Sequence, residues 1–88
     1  MKIYDDENKR VLNSVTLFLT PEEAAELASS AQDLAEHPGK HHHHVSNGDC
    51  SVEITVAVYT RENAAQFDRE SLAVIGDELA RRPGSGQH

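Results

Sequence analysis

The 88-residue chain has no Trp, one Cys, and only two Phe and two Tyr. A single thiol cannot close an intrachain disulfide, so no oxidising compartment is implied. Basic residues are scarce: eight Lys and Arg stand against fifteen Asp and Glu, a formal net charge of −7. Such a surface repels phosphate backbones, which disfavours nucleic-acid binding through counterion release. No basic run exceeds Lys9-Arg10 or Arg81-Arg82, too little to hold an anionic membrane surface. No stretch approaches the ~20 apolar residues of a membrane span. The opening Met1-Lys2-Ile3-Tyr4-Asp5-Asp6 also lacks the apolar run of a signal peptide. Cytosol is the expected compartment. There is no Gly-rich phosphate loop, nucleophile elbow, zinc-protease pair or paired-cysteine motif. An enzyme, of no type the residues define, would have to draw its groups from scattered positions.

A chain of this length is expected to form one α+β domain over residues 1–82, with 83–88 as a tail, because cores form in units of about 100–200 residues. It buries only about 60–65 % of its unfolded surface, leaving little room for both a core and a deep cleft.

The segment Lys2–Tyr4, a polar turn at 5–9, and a Val-, Leu- and Thr-rich run from Arg10 to Thr20 predict a first hairpin with a long second strand. Thr20-Pro21-Glu22-Glu23 then opens a helix with Thr20 as cap, Pro21 in the first turn and Glu23 closing a capping box. Ala24, Leu27, Ala28, Ala31, Leu34 and Ala35 recur at helical spacing as its apolar stripe, and His37-Pro38-Gly39 ends it.

Asn47-Gly48 predicts a two-residue turn of a second hairpin, with Val45 opposite Cys50, His44 opposite Ser51, His43 opposite Val52 and His42 opposite Glu53. Val52, Ile54, Val56 and Val58 alternate with polar neighbours and should face the core. On that register Cys50 is a buried, inert thiol. A last helix is capped by Asp68, stapled by Phe67 and Leu72, and striped by Leu72, Ile75 and Leu79. The order is ββαββα, most simply a four-stranded, largely antiparallel sheet with both helices on one face. Thr20-Pro-Glu-Glu-Ala-Ala-Glu-Leu27 and Thr60-Arg-Glu-Asn-Ala-Ala-Gln-Phe67 hint at an internal repeat.

The uncovered face of such a sheet would carry Leu12, Thr16, Phe18, Ala57 and Tyr59, an apolar patch of the kind partners use. A homodimer is the commonest form of that contact.

The histidines are the compositional outlier, with His37 and His41–His44 inside eight positions. His42 and His44 share a strand face, and with Glu53 opposite His42 they make a candidate three-ligand site for Zn²⁺ or Ni²⁺. His41 and His43 should point toward the helices. Histidine also titrates between pH 5 and 8, and protonating all six would move the formal charge from −7 to −1, a route to acid-induced self-association.

Leu19-Thr-Pro-Glu-Glu-Ala24, His42-His-His-Val45 and Ile54-Thr-Val-Ala-Val-Tyr-Thr60 resemble segments of short bacterial proteins with no established activity. The resemblance spans nearly the whole chain and implies no catalytic or binding residue. By analogy with small acidic immunity proteins and antitoxins, it allows a role in blocking a basic partner. The expectation is therefore a non-enzymatic interaction module, with homodimerisation through the sheet face as one form of it and metal binding by the His cluster as the alternative.

Overall fold

The computed structural model describes residues 1–80, so the expected tail lies outside the described residues. The fold is mixed α+β, in two compact units. The elements are β1 (Ile3–Asp5), β2 (Arg10–Leu12), α1 (Pro21–Glu36), β3 (His42–Ser46), β4 (Glu53–Ala57) and α2 (Arg69–Leu79). Single 3₁₀ turns occupy Pro38–Lys40 and Ala64–Gln66. The strands form two separate antiparallel pairs, β1–β2 and β3–β4, and not one four-stranded sheet. The reason lies after Leu12. Asn13 and Ser14 are poor strand formers, only Ile3–Asp5 pairs with this stretch, and no strand runs through 13–20 to carry a wider sheet.

The first unit comprises residues 1–16 and 67 onward. Asp5 shapes its hairpin turn, accepting hydrogen bonds from the Glu7 and Asn8 amides at 3.0 and 3.2 Å and from Asn8 Nδ2 at 2.8 Å. Lys9 then takes a left-handed conformation (φ 57°) that brings the chain back. Helix α2 starts as the sequence predicts, with Asp68 accepting from the Ser71 amide at 2.8 Å. Ile75 is its buried residue, flanked by half-buried Leu72 and Leu79. Side chains tether β1 to α2 in antiparallel sense. Lys2 Nζ donates to Asp77 at 3.0 Å, Tyr4 donates its hydroxyl to Glu70 at 2.7 Å, and Lys9 Nζ also lies 3.3 Å from Glu70.

The second unit spans residues 17–66. Its helix α1 opens on the expected capping box: the Glu23 amide donates to Thr20 Oγ1 at 3.1 Å and the Thr20 amide to Glu23 Oε1 at 3.0 Å. The buried stripe differs from the expected one. Leu34 is fully buried and Leu27 and Ser30 half-buried, whereas Ala24, Ala28, Ala31 and Ala35 are exposed. An Ala Cβ brings little area, so the helix turns to bury its two leucines. It packs on both β3 and β4, where Val45, 3 % exposed, pairs with Ile54.

The second hairpin keeps its expected faces but not its register. His42 pairs with Ala57, His43 with Val56, His44 with Thr55, Val45 with Ile54 and Ser46 with Glu53. The slip is an even number of residues, so each side chain within the paired strands stays on its predicted face. Asn47 is its cause. This residue does not enter a two-residue turn; its amide donates to the Val52 carbonyl, its Oδ1 accepts from the Val52 amide, and its Nδ2 donates to Ser51 Oγ. The longer loop leaves Val52 64 % exposed. It also places Cys50 at an exposed left-handed position (φ 60°), not in the core.

The Thr60 segment repeats the local device of the Thr20 segment. The Asn63 amide donates to Thr60 Oγ1 at 3.0 Å and the Thr60 amide to Asn63 Oδ1 at 2.8 Å. Here only a 3₁₀ turn follows. Asn63, 3 % exposed, also links two other segments, because its Nδ2 donates to the carbonyls of Pro38 and Val58 at 2.9 and 2.8 Å.

Candidate functional site

The two faces of β3–β4 carry different chemistry. On the α1 side, His43 Nε2 lies 2.7 Å from Asp33 Oδ2, and Lys40 Nζ donates to both oxygens of the same carboxylate at 3.1 and 3.0 Å. The His43 hydrogen bond and then Lys40 hold the Asp33 carboxyl below its usual range. This trio joins α1, the 3₁₀ turn and β3. Sequence reasoning misses Asp33 and Lys40; the available signal is an acid within the helix's buried side, one step before Leu34.

The other face presents His42, His44, Glu53 and Thr55, all exposed. His41, in a left-handed conformation (φ 49°), turns its ring onto this group. Its Nδ1 lies 2.7 Å from Nδ1 of His42, with ring centroids 4.4 Å apart. His41 therefore joins the cluster, against the expectation that it points toward the helices, because the left-handed turn breaks the strand alternation. The His42 and His44 rings stand edge to face at 5.0 Å. His44 Nδ1 contacts Thr55 Oγ1 at 3.0 Å and approaches Glu53 Oε1 at 3.5 Å. Desolvation by the crowded rings, then the charges of the neighbouring imidazoles His41, His44 and His43, push the His42 pKa down.

The three sequence-predicted metal ligands are thus on one face but arranged differently. Glu53 stands opposite Ser46, not His42, and its carboxylate is beside His44. Among the described residues, no group of three His, Cys, Asp or Glu side chains is disposed to hold a metal ion.

The expected partner surface does not form one sheet face. Leu12, half-buried, ends β2 in the first unit, and exposed Thr16 lies outside any strand. Phe18, Ala57 and half-buried Tyr59 belong to the second unit. Phe18 is 92 % exposed. It borders a hollow of about 230 Å³ lined also by Leu19, Glu23, Val45, Val52 and Ile54. The sequence pattern does not reveal this hollow, because strand alternation assigns Val52 to the core.

No helix among the described residues is long and apolar enough to cross a membrane. No family model, curated protein or solved structure matches the chain.

Proposed function

We propose that the chain is a small, non-enzymatic protein-interaction module that binds a partner at the hollow beside Phe18. The observation that carries this reading is the exposure of a large aromatic side chain, 92 % in solvent, at the edge of a hollow that also bears exposed Val52. Exposed apolar clusters next to a concavity are where aromatic anchors work in protein recognition. The formal charge of −7 and Glu23 in the hollow's lining favour a partner with basic residues around its contact. An immunity- or antitoxin-like role, in which an acidic domain masks a basic protein, is the specific form of this reading. A symmetric homodimer through the same hollow is its simplest form. The acidic, single-thiol composition suits a cytosolic setting.

Sedimentation equilibrium at micromolar concentration, followed by affinity capture from the native cell extract, tests it with wild type and Phe18→Asp side by side. Because Phe18 is exposed, the substitution should leave the circular dichroism spectrum unchanged while abolishing self-association or the captured band. A monomeric wild type that captures nothing Phe18-dependent rejects the module.

A further inference from the structure

We propose that His42 and His44 form a two-imidazole chelate for a divalent transition ion of the nickel–copper–zinc group, each donating Nε2. The chelate is separate from the hollow, since His42 and His44 lie on the strand face opposite Val45 and Ile54.

Three features converge. First, the two rings share a strand face, are solvent-exposed and stand 5.0 Å apart. Two nitrogens on one tetrahedral ion, each about 2.0–2.1 Å from it, lie about 3.3 Å apart, so binding requires the two rings to turn their Nε2 atoms to that separation. Second, both rings have Nδ1 engaged: His42 with His41 Nδ1 at 2.7 Å, and His44 with Thr55 Oγ1 at 3.0 Å. Ligating histidines use this pattern, with one nitrogen on the metal and the other held by a hydrogen-bond partner that sets tautomer and orientation. Third, the Glu53 carboxylate 3.5 Å from His44 Nδ1 favours a proton on that nitrogen, which leaves the Nε2 lone pair for the ion. In the His41–His42 contact one ring donates and the other accepts; metal binding selects the form in which His42 donates Nδ1–H to His41. Glu53 is then a positioning residue and not a ligand, and water completes the coordination sphere. Imidazole donors suit this group of ions, while an all-oxygen preference such as that of Mg²⁺ is not met.

The test titrates the full chain with diamagnetic Zn²⁺ alone, by calorimetry and by ¹⁵N correlation spectra of the imidazoles. Either His42→Ala or His44→Ala should weaken binding about a hundredfold, the loss expected when a chelate becomes a single ligand. His43→Ala, on the other face, should leave affinity unchanged. Thr55→Val should cost about tenfold through the orientation of His44, with Thr55→Ser restoring it. In the spectra, the Nε2 resonances of His42 and His44 should be the ones perturbed. Equal losses in His42→Ala, His44→Ala and His43→Ala, or perturbation spread evenly over all the histidines, would reduce the cluster to diffuse imidazole binding and overturn the chelate.

Discussion

Both units set one helix against one hairpin, yet they hold the helix by different means. In the second unit α1 packs on β3–β4 through Leu34, which is fully buried, and Val45, and the far end is secured by buried Asn63. In the first unit the described ties between the β1 end of the chain and α2 are side-chain bonds at the surface, Lys2 to Asp77 and Tyr4 to Glu70, around Ile75, the one buried residue among those described. Burial of apolar area scales with the length of the elements in contact. A 16-residue helix on five-residue strands can stabilise itself by burial. An 11-residue helix beside three-residue strands cannot bury as much and relies more on charge. Exposed ion pairs contribute little each and weaken in salt.

The largest effect should come from Leu34→Ala. Removing a fully buried leucine costs about 2–5 kcal/mol. Amide exchange across the β3–β4 ladder should accelerate more than across β1–β2; equal acceleration in both ladders would erase the contrast between the units. Asn63→Ala comes next. It leaves the Val58 carbonyl without its Asn63 donor and the Pro38 carbonyl with the His41 amide alone, at a cost of about 1–3 kcal/mol for the orphaned group. A denaturant midpoint equal to wild type would show that water replaces the side chain without penalty. Thr20→Ala removes one half of an exposed capping box and should cost about 1 kcal/mol in thermal unfolding. A loss as large as that of Asn63→Ala would place the boundary between buried and exposed ties wrongly.

The smallest effect concerns the first unit's charge network. The hydrogen bond to Glu70, then burial and the Glu70 charge, push the Tyr4 pKa up to about 12. The neutral phenol is favoured in the folded state. Its contribution is therefore complete below the ordinary pKa near ~10 and is lost as pH rises through about 12. A difference titration of phenolate absorbance between wild type and Tyr4→Phe measures this, and Glu70→Gln should move the midpoint down. A midpoint already near ~10 in wild type would remove the Tyr4–Glu70 tie.

Local rules are readable where the chemistry is local. The Thr20–Glu23 box, the Asp68 cap, the Ile75 stripe and the inward and outward faces of β3–β4 follow from spacing alone. What depends on tertiary pairing does not. The run from Arg10 to Thr20 has strand propensity, but propensity without a partner strand does not make a ladder, and pairing stops at Leu12. Asn47-Gly48 signals a tight turn, yet the Asn47 side chain competes for the loop's own backbone and lengthens it. That slip moves Glu53 from His42 to His44 and lifts Cys50 and Val52 into solvent. In the candidate site, His42 and His44 are legible from two-residue periodicity. His41 is not, because its left-handed backbone carries no sequence mark such as glycine.

Asn63 also bears on the order in which the second unit comes together. Its side-chain nitrogen reaches the Pro38 carbonyl across 25 residues. That bond can form only after the end of α1, the whole β3–β4 ribbon and the return segment have closed on one another. Closing such a loop costs entropy before any bond repays it, so the expected order puts this fastening late, after the ribbon itself has paired. Asn63→Ala should then speed unfolding more than it slows folding, which stopped-flow rates in denaturant measure; an equal loss in the folding rate would place the bond at the barrier.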